Sequence, residues 1–262
     1  MSVEDIVVVT GASGGIGSAT VAVFLEKGYT VVGIDKYSLA EARNENIIVD
    51  GHAGETHKNY HHIVADITNA ADVAAAVTEA ASFGRLRHAV TVAGAAHPDE
   101  VGVSRIEDIP TAAIAEAIAL NLLGSFYFAH AVVPYLRETA KAGVDVNLIF
   151  TSSINGLEGI GLHPYSAAKA GLVSLARTLA VEEGPNGLRV NCVAPGTVIT
   201  PRTQHEWSGH PGHFDAMNAS TILGRTTTPQ EIANTYVALV ETLTSVTGQT
   251  IIVDAGQVAR WR

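Results

Sequence analysis

Ile6-Val7-Val8-Val9 is an uninterrupted β-branched run. It leads at once into Thr10-Gly11-Ala12-Ser13-Gly14-Gly15-Ile16-Gly17, then into a helical pattern that continues through Lys27 and stops at Gly28. A continuous apolar run of this length reads as a strand covered on both faces, which commits the chain to a layered α/β arrangement. Glycines between strand and helix let the backbone approach a pyrophosphate, whose charge rests on the helix N-terminus. The glycines at 11, 14, 15 and 17 depart from G-x-G-x-x-G and form the Thr-Gly-x-x-x-Gly-x-Gly variant. Alone such a turn is weak evidence; between a buried strand and a helix it is good evidence for a dinucleotide.

The same alternation repeats along the chain. Strands are predicted at residues 30–34, 62–65, 86–92, 144–150, 188–193 and 248–253, with helices at 70–82, 111–137 and 165–183 and a last one from Pro229. Asn69 or Thr68 is placed to cap the first of these helices, and Thr228 the last. The pattern predicts one domain over 1–262, a Rossmann-like doubly wound parallel sheet of about seven strands with helices on both faces. Residues 36–60 form a long polar connection with a short apolar patch at 47–49. Its histidines (His52, His57, His61 and His62) have no cysteine beside them and no ligand spacing, so they read as solvated loop positions, and no metal site is expected. Residues 197–223, with Trp207, Phe214 and three histidines, read as a mobile lid over the substrate.

Two positions carry the chemistry. Tyr165 and Lys169 stand four apart in a helical pattern and so share a face. A phenol titrates near 10, and bringing it to about 7 takes roughly 4 kcal/mol of preference for the phenolate. A neighbouring ammonium supplies part of that preference. Upstream, Thr151-Ser152-Ser153 leaves the end of a predicted strand, the side on which open parallel sheets bind ligands. Asp35 ends the second strand, where a carboxylate accepts ribose hydroxyls and repels a 2′-phosphate. Lys36 beside it works in the other direction, so NAD is favoured over NADP without excluding it.

Composition excludes several classes. A net charge of -10 without a basic cluster argues against nucleic acid. The single cysteine, Cys192, lies in an apolar run and excludes an internal disulfide. No signal peptide and no membrane-length apolar run is expected, which points to a cytoplasmic protein.

Taken together, Thr10-Gly11 through Gly17, Asp66, Asn121, Ser153, Tyr165, Lys169, Pro195-Gly196 and Thr247-Gly248-Gln249 resemble the short-chain dehydrogenase/reductase family, over nearly the whole chain and in the right order. The resemblance implies Tyr165 as general acid/base, Lys169 lowering its pKa and holding the nicotinamide ribose, Ser153 as donor to the reacting oxygen, and Asn121 anchoring a relay water. It further implies a cofactor site of Gly11, Ser13, Gly15, Ile16, Gly17, Asp35, Asp66, Ile67, Ala93, Gly94, Tyr165, Lys169, Pro195, Gly196, Val198 and Thr200, and a homotetramer. Two departures stand out. Thr91-Val92-Ala93-Gly94 replaces the usual Asn-Asn-Ala-Gly, so the hydrogen bonding there does not carry over. The family's usual serine-to-tyrosine gap selects Ser152, whereas alignment on Gly156 selects Ser153, which is preferred.

The expected activity is hydride transfer between NAD(H) and a secondary alcohol or ketone, possibly apolar or cyclic. Competing readings are an NADPH-dependent ketoreductase, a catalytically silent NAD-binding module, and a sugar-nucleotide epimerase. The last would need more chain after Val253 than is present.

Overall fold

The computed structural model describes residues 4–44 and 57–261. Seven parallel strands form one sheet in the order β3-β2-β1-β4-β5-β6-β7: β1 Asp5–Thr10, β2 Thr30–Asp35, β3 Tyr60–Val64, β4 Arg85–Thr91, β5 Val146–Thr151, β6 Leu188–Pro195 and β7 Thr250–Val253. The predicted Rossmann-like sheet is therefore observed. Strand order reverses between β1 and β4, and the crevice that opens at such a switch point is where ligands bind in these sheets.

Alternation along β1 explains the two layers. Ile6 and Val8 pack into a core shared with α3 (Ala70–Ala80), α5 (Gly124–Lys141) and α6 (His163–Glu183). Val7 and Val9 face the opposite core, shared with α1 (Gly15–Glu26) and α9 (Pro229–Glu241). Every residue from Ile6 to Val9 is fully buried, as a two-sided strand requires.

Asn69 caps α3, its side chain accepting from the Ala71 and Asp72 N–H groups. Replacing that acceptor leaves two helix-start donors to water. Asn69→Ala should therefore lower stability by about 1 kcal/mol, read as a reduced urea midpoint with unchanged slope. Thr228 and Glu231 form a reciprocal box at the start of α9, where the cap was expected.

Several expectations are corrected. The predicted helix 111–137 is three pieces: α4 (Thr111–Ile118), a π-helical segment Ala119–Leu123, and α5, which continues to Lys141. This run is long and apolar enough to cross a membrane, contrary to expectation, but its buried side packs on β4, α3 and α6 as a core helix does. The third strand starts at Tyr60, two residues before its predicted start at His62, so His61 joins His62 as a strand residue. His61 stacks on Phe83 with centroids 3.9 Å apart, and the His62 ring bonds Tyr60 Oη at 2.9 Å and Tyr37 O at 2.8 Å. Packing on neighbours, rather than solvation, explains these two. His57 is exposed, while His52 and the 47–49 patch lie outside the described residues. A short helix, α2 (Leu39–Asn44), interrupts the connection after β2, and the supposed lid loop holds two more, α7 (Pro201–Glu206) and α8 (His213–Ala219). The α9 helix is not the last: α10 (Gln257–Trp261) follows β7.

Candidate active site

The C-terminal ends of β1, β2, β4, β5 and β6 open onto one cavity of roughly 1360 Å³. That is more than a drug-sized ligand fills, and suits a dinucleotide with a small substrate. All the catalytic and cofactor-site residues expected from the sequence line it except Ser13 and Asn121.

One end of the cavity is built from the glycine turn. Gly14 caps α1 without a side-chain acceptor, and no acidic residue stands in the first turn. The donors at that helix start are thus left for an anion. A Cβ on Gly14 would meet only Gly11 O, at 3.5 Å, so protein packing does not require this glycine, whereas the cavity does. Asp35 Oδ2 accepts the Ser13 N–H at 3.0 Å and Oδ1 the Tyr37 N–H at 3.3 Å, which fixes the carboxylate at the cavity edge. Ser13 itself is set back: it is fully buried, and its hydroxyl has no partner among the described residues. Its place is behind Asp35 rather than on the cavity wall. Lys36 is exposed and lies over the Tyr37 ring, 4.7 Å from its centroid. These groups fit a nicotinamide dinucleotide.

Around the Thr91-Val92-Ala93-Gly94 segment, threonine hydroxyls accept main-chain N–H groups. Thr10 Oγ1 accepts from the Val92 and Ala93 N–H groups, and Thr91 Oγ1 from the Thr151 N–H. Small size matters at Gly94, where a Cβ would lie 2.7 Å from Asn121 Oδ1 and 2.9 Å from Lys169 Nζ.

Tyr165 and Lys169 lie on one face of α6, the ammonium 5.5 Å from the phenol ring centroid. Lys169 is buried, and its ammonium donates to Thr151 O at 2.9 Å. Burial lowers its pKa from the usual 10.5 to about 8, which leaves it charged at neutral pH. Between those two values the unfolded chain holds a proton that the folded chain has released. This group alone therefore makes stability rise with pH across that window.

The serines differ in commitment. Ser152 Oγ donates to Lys169 O at 2.7 Å, so its proton is engaged by the helix. Ser153 Oγ accepts the Asn155 N–H and donates to Asn155 Oδ1, both at 3.2 Å. Asn121 is fully buried: Oδ1 accepts the Ala95 N–H at 2.9 Å, while Nδ2 donates to Ala95 O at 2.8 Å and Ala117 O at 2.9 Å. The π-helical segment around it, in which the Gly124 N–H reaches Ala119 O, is the irregularity that such sites favour.

At another part of the cavity wall, Trp207 stacks on His213 with centroids 3.9 Å apart and planes 4° apart, and Phe214 meets His213 edge-on. Burial first, and the charge of His210 second, lower the His213 pKa. His163 lines the cavity with a buried Nδ1 that has no partner among the described residues, whereas His97 is held by Glu116 at 3.0 Å. Asn155 and the buried carboxylate Glu100 also line it, and the sequence reading named neither. The acid three residues after His97 was the available signal for Glu100.

The family model described as enoyl-(acyl carrier protein) reductase matches residues 11–257. The chain belongs to the short-chain dehydrogenase/reductase family. It is 31% identical to an uncharacterised oxidoreductase of Schizosaccharomyces pombe, over 99% of this chain and 93% of that one. It is 35% identical to cis-4-hydroxycyclohexanecarboxylate dehydrogenase of Sinomonas cyclohexanicum, over 98% and 97%. A solved short-chain dehydrogenase/reductase from Burkholderia thailandensis superposes with TM-score 0.83 at 29% identity, over 99% and 94%. Membership makes this chain an oxidoreductase of a family that uses a nicotinamide cofactor.

Proposed function

We propose that the protein is an NAD(H)-dependent dehydrogenase of a secondary alcohol, or reductase of the matching ketone. The observation that carries this is the buried ammonium of Lys169 beside the Tyr165 ring, in a cavity whose far end is an uncapped helix start. When bound, the nicotinamide supplies hydride exchange at the carbinol carbon. Tyr165 takes the hydroxyl proton in oxidation and returns it in reduction. Lys169 favours the phenolate by its charge. Ser153 donates to the reacting oxygen, exchanging its 3.2 Å bond to the Asn155 side chain for that one; Ser152 is less suited because its proton is held by the main-chain carbonyl of Lys169 at the shorter 2.7 Å. Asn121 holds the Ala95 backbone to the end of α4 through both main-chain groups of Ala95 and the Ala117 carbonyl. Trp207 and Phe214 suit a cyclic or apolar substrate, a reading supported by the similarity to a dehydrogenase named for a hydroxycyclohexane acid.

NAD is favoured over NADP because the Asp35 carboxylate is fixed at the ribose position while Lys36 is held over Tyr37. Asp35→Ala should lower the NAD-to-NADP ratio of kcat/KM about tenfold or more, or ~1.4 kcal/mol. An unchanged ratio would mean that Asp35 does not meet the ribose. Leu123 and Phe126, 40% and 43% exposed, and Val181 at 80%, support pairing of α5 and α6 between subunits of a tetramer; gel filtration at a monomer's mass would refute it. The whole reading is tested by NADH formation from a panel of secondary alcohols, cyclic hydroxy acids included. Tight NAD binding without turnover on any of them would favour a silent binding module.

A further inference from the structure

The catalytic helix starts under strain and without a cap of its own. Leu162, the residue before α6, has φ 53°, a left-handed conformation costly for a branched side chain, and it offers no side-chain acceptor to the helix. Helix starts leave N–H groups that something must satisfy. Here the acceptor comes from 65 residues away: Glu100 Oε2 accepts the Tyr165 N–H at 3.2 Å. Its other oxygen, Oε1, accepts the His97 N–H at 2.7 Å. Glu100 is 0% exposed. Both hydrogen bonds come from main-chain N–H groups, so among the described residues this buried side chain is satisfied by two oriented backbone donors, an arrangement that holds only while both segments stay in place.

The connection continues beyond Glu100. His97 Nδ1 accepts the Asp99 N–H, which leaves Nε2 to donate to Glu116 of α4 at 3.0 Å. Just past the same end of α4, in the π-helical segment, the Asn121 side chain grips both main-chain groups of Ala95. The segment from Ala95 to Glu100 is thus pinned at two places to the helix carrying Asn121, and at one to the helix carrying Tyr165. Because the acceptor for α6 sits on that segment, the height of the phenol is set by the cavity wall opposite it.

We infer that Glu100 is a positioning residue, which caps the catalytic helix from the β4–α4 segment and holds Tyr165 at the depth where its phenol meets the substrate oxygen. This rests on the proposed dehydrogenase reading. A phenol misplaced by a fraction of an ångström loses proton transfer before it loses cofactor binding, since the dinucleotide is held mainly by other elements.

Wild type, Glu100→Ala and Glu100→Gln are compared, at a temperature where each is fully folded by circular dichroism, for kcat, KM, NADH affinity by titration and amide hydrogen exchange at Tyr165. Glu100→Ala should lower kcat ten- to hundredfold, leave NADH affinity within twofold, and speed exchange at Tyr165. Glu100→Gln keeps the volume and one acceptor and should recover part of kcat. If Glu100→Ala keeps the wild-type kcat, or if NADH affinity falls in step with kcat, the positioning role is wrong while the dehydrogenase reading stands. If wild type itself turns over no alcohol or ketone, the reading of the site is what fails.

Discussion

Tyr165→Phe should lower kcat by about a thousandfold, within the 10² to 10⁴ that a positioned acid or base contributes, with NADH affinity within twofold of wild type. The phenol oxygen is the only atom removed, and the ring that packs beside Lys169 remains. Lys169→Met should produce a comparable fall, because its buried ammonium is the charge that favours the phenolate and also the donor to Thr151 O. The double variant should be hardly worse than either single one. Two groups that act as a unit are not additive: once the phenol is gone, the charge that served it has nothing to serve. A double variant whose loss is the product of the two single losses would show that Lys169 works mainly through the cofactor. Unchanged kcat in Tyr165→Phe would end the assignment of Tyr165.

Much of this was legible in the sequence because it rests on local rules. A β-branched run leading into glycines specifies a buried strand and a phosphate-sized turn, and β1, the turn and α1 follow that expectation. Residues four apart in a helix share a face, so Tyr165 and Lys169 meet. Asn69 and Thr228 cap the helices they precede. What could not be read involves contacts between distant segments. Nothing local marks Glu100 as the cap of a helix 65 residues on, or Arg189 as the side chain that binds Asp145 at 3.0 Å and reaches Leu243 O and Val246 O at 3.1 Å. His61 and His62 were misjudged for a related reason. Their polarity reads as loop, yet Phe83 and Tyr60 are brought against them by the sheet. The π-helical segment at Asn121 breaks the 3.6-residue period that made 111–137 look like one helix; asparagine in an apolar stretch was its only trace.

The glycine turn allows the fold and the cofactor site to be tested separately, because two of its glycines are there for different reasons. Gly17 is buried, and a Cβ there would lie 1.9 Å from Gly11 O and 2.8 Å from Gly11 C, both main chain. Backbone cannot yield as a flexible side chain can, so Gly17→Ala should cost about 3 kcal/mol and lower the melting temperature with or without cofactor. Gly14 has φ -69° and ψ 167°, extended backbone that valine adopts readily, with only Gly11 O within 4 Å of a built Cβ. Gly14→Val should therefore melt within a degree or two of wild type as the free protein. Its isopropyl group would stand where the cavity brings a pyrophosphate to the start of α1, and NADH affinity should fall a hundredfold or more, equal to ~2.7 kcal/mol. The added stability that NADH gives wild type, which grows with the ratio of ligand concentration to Kd, should shrink accordingly. If Gly14→Val bound NADH as wild type does, the dinucleotide would not rest on this turn, and Asp35, Gly15 and Thr200 would lose their assigned partners together. If instead it unfolded, Gly14 would be a structural glycine like Gly17, and the openness of its surroundings would have to be wrong.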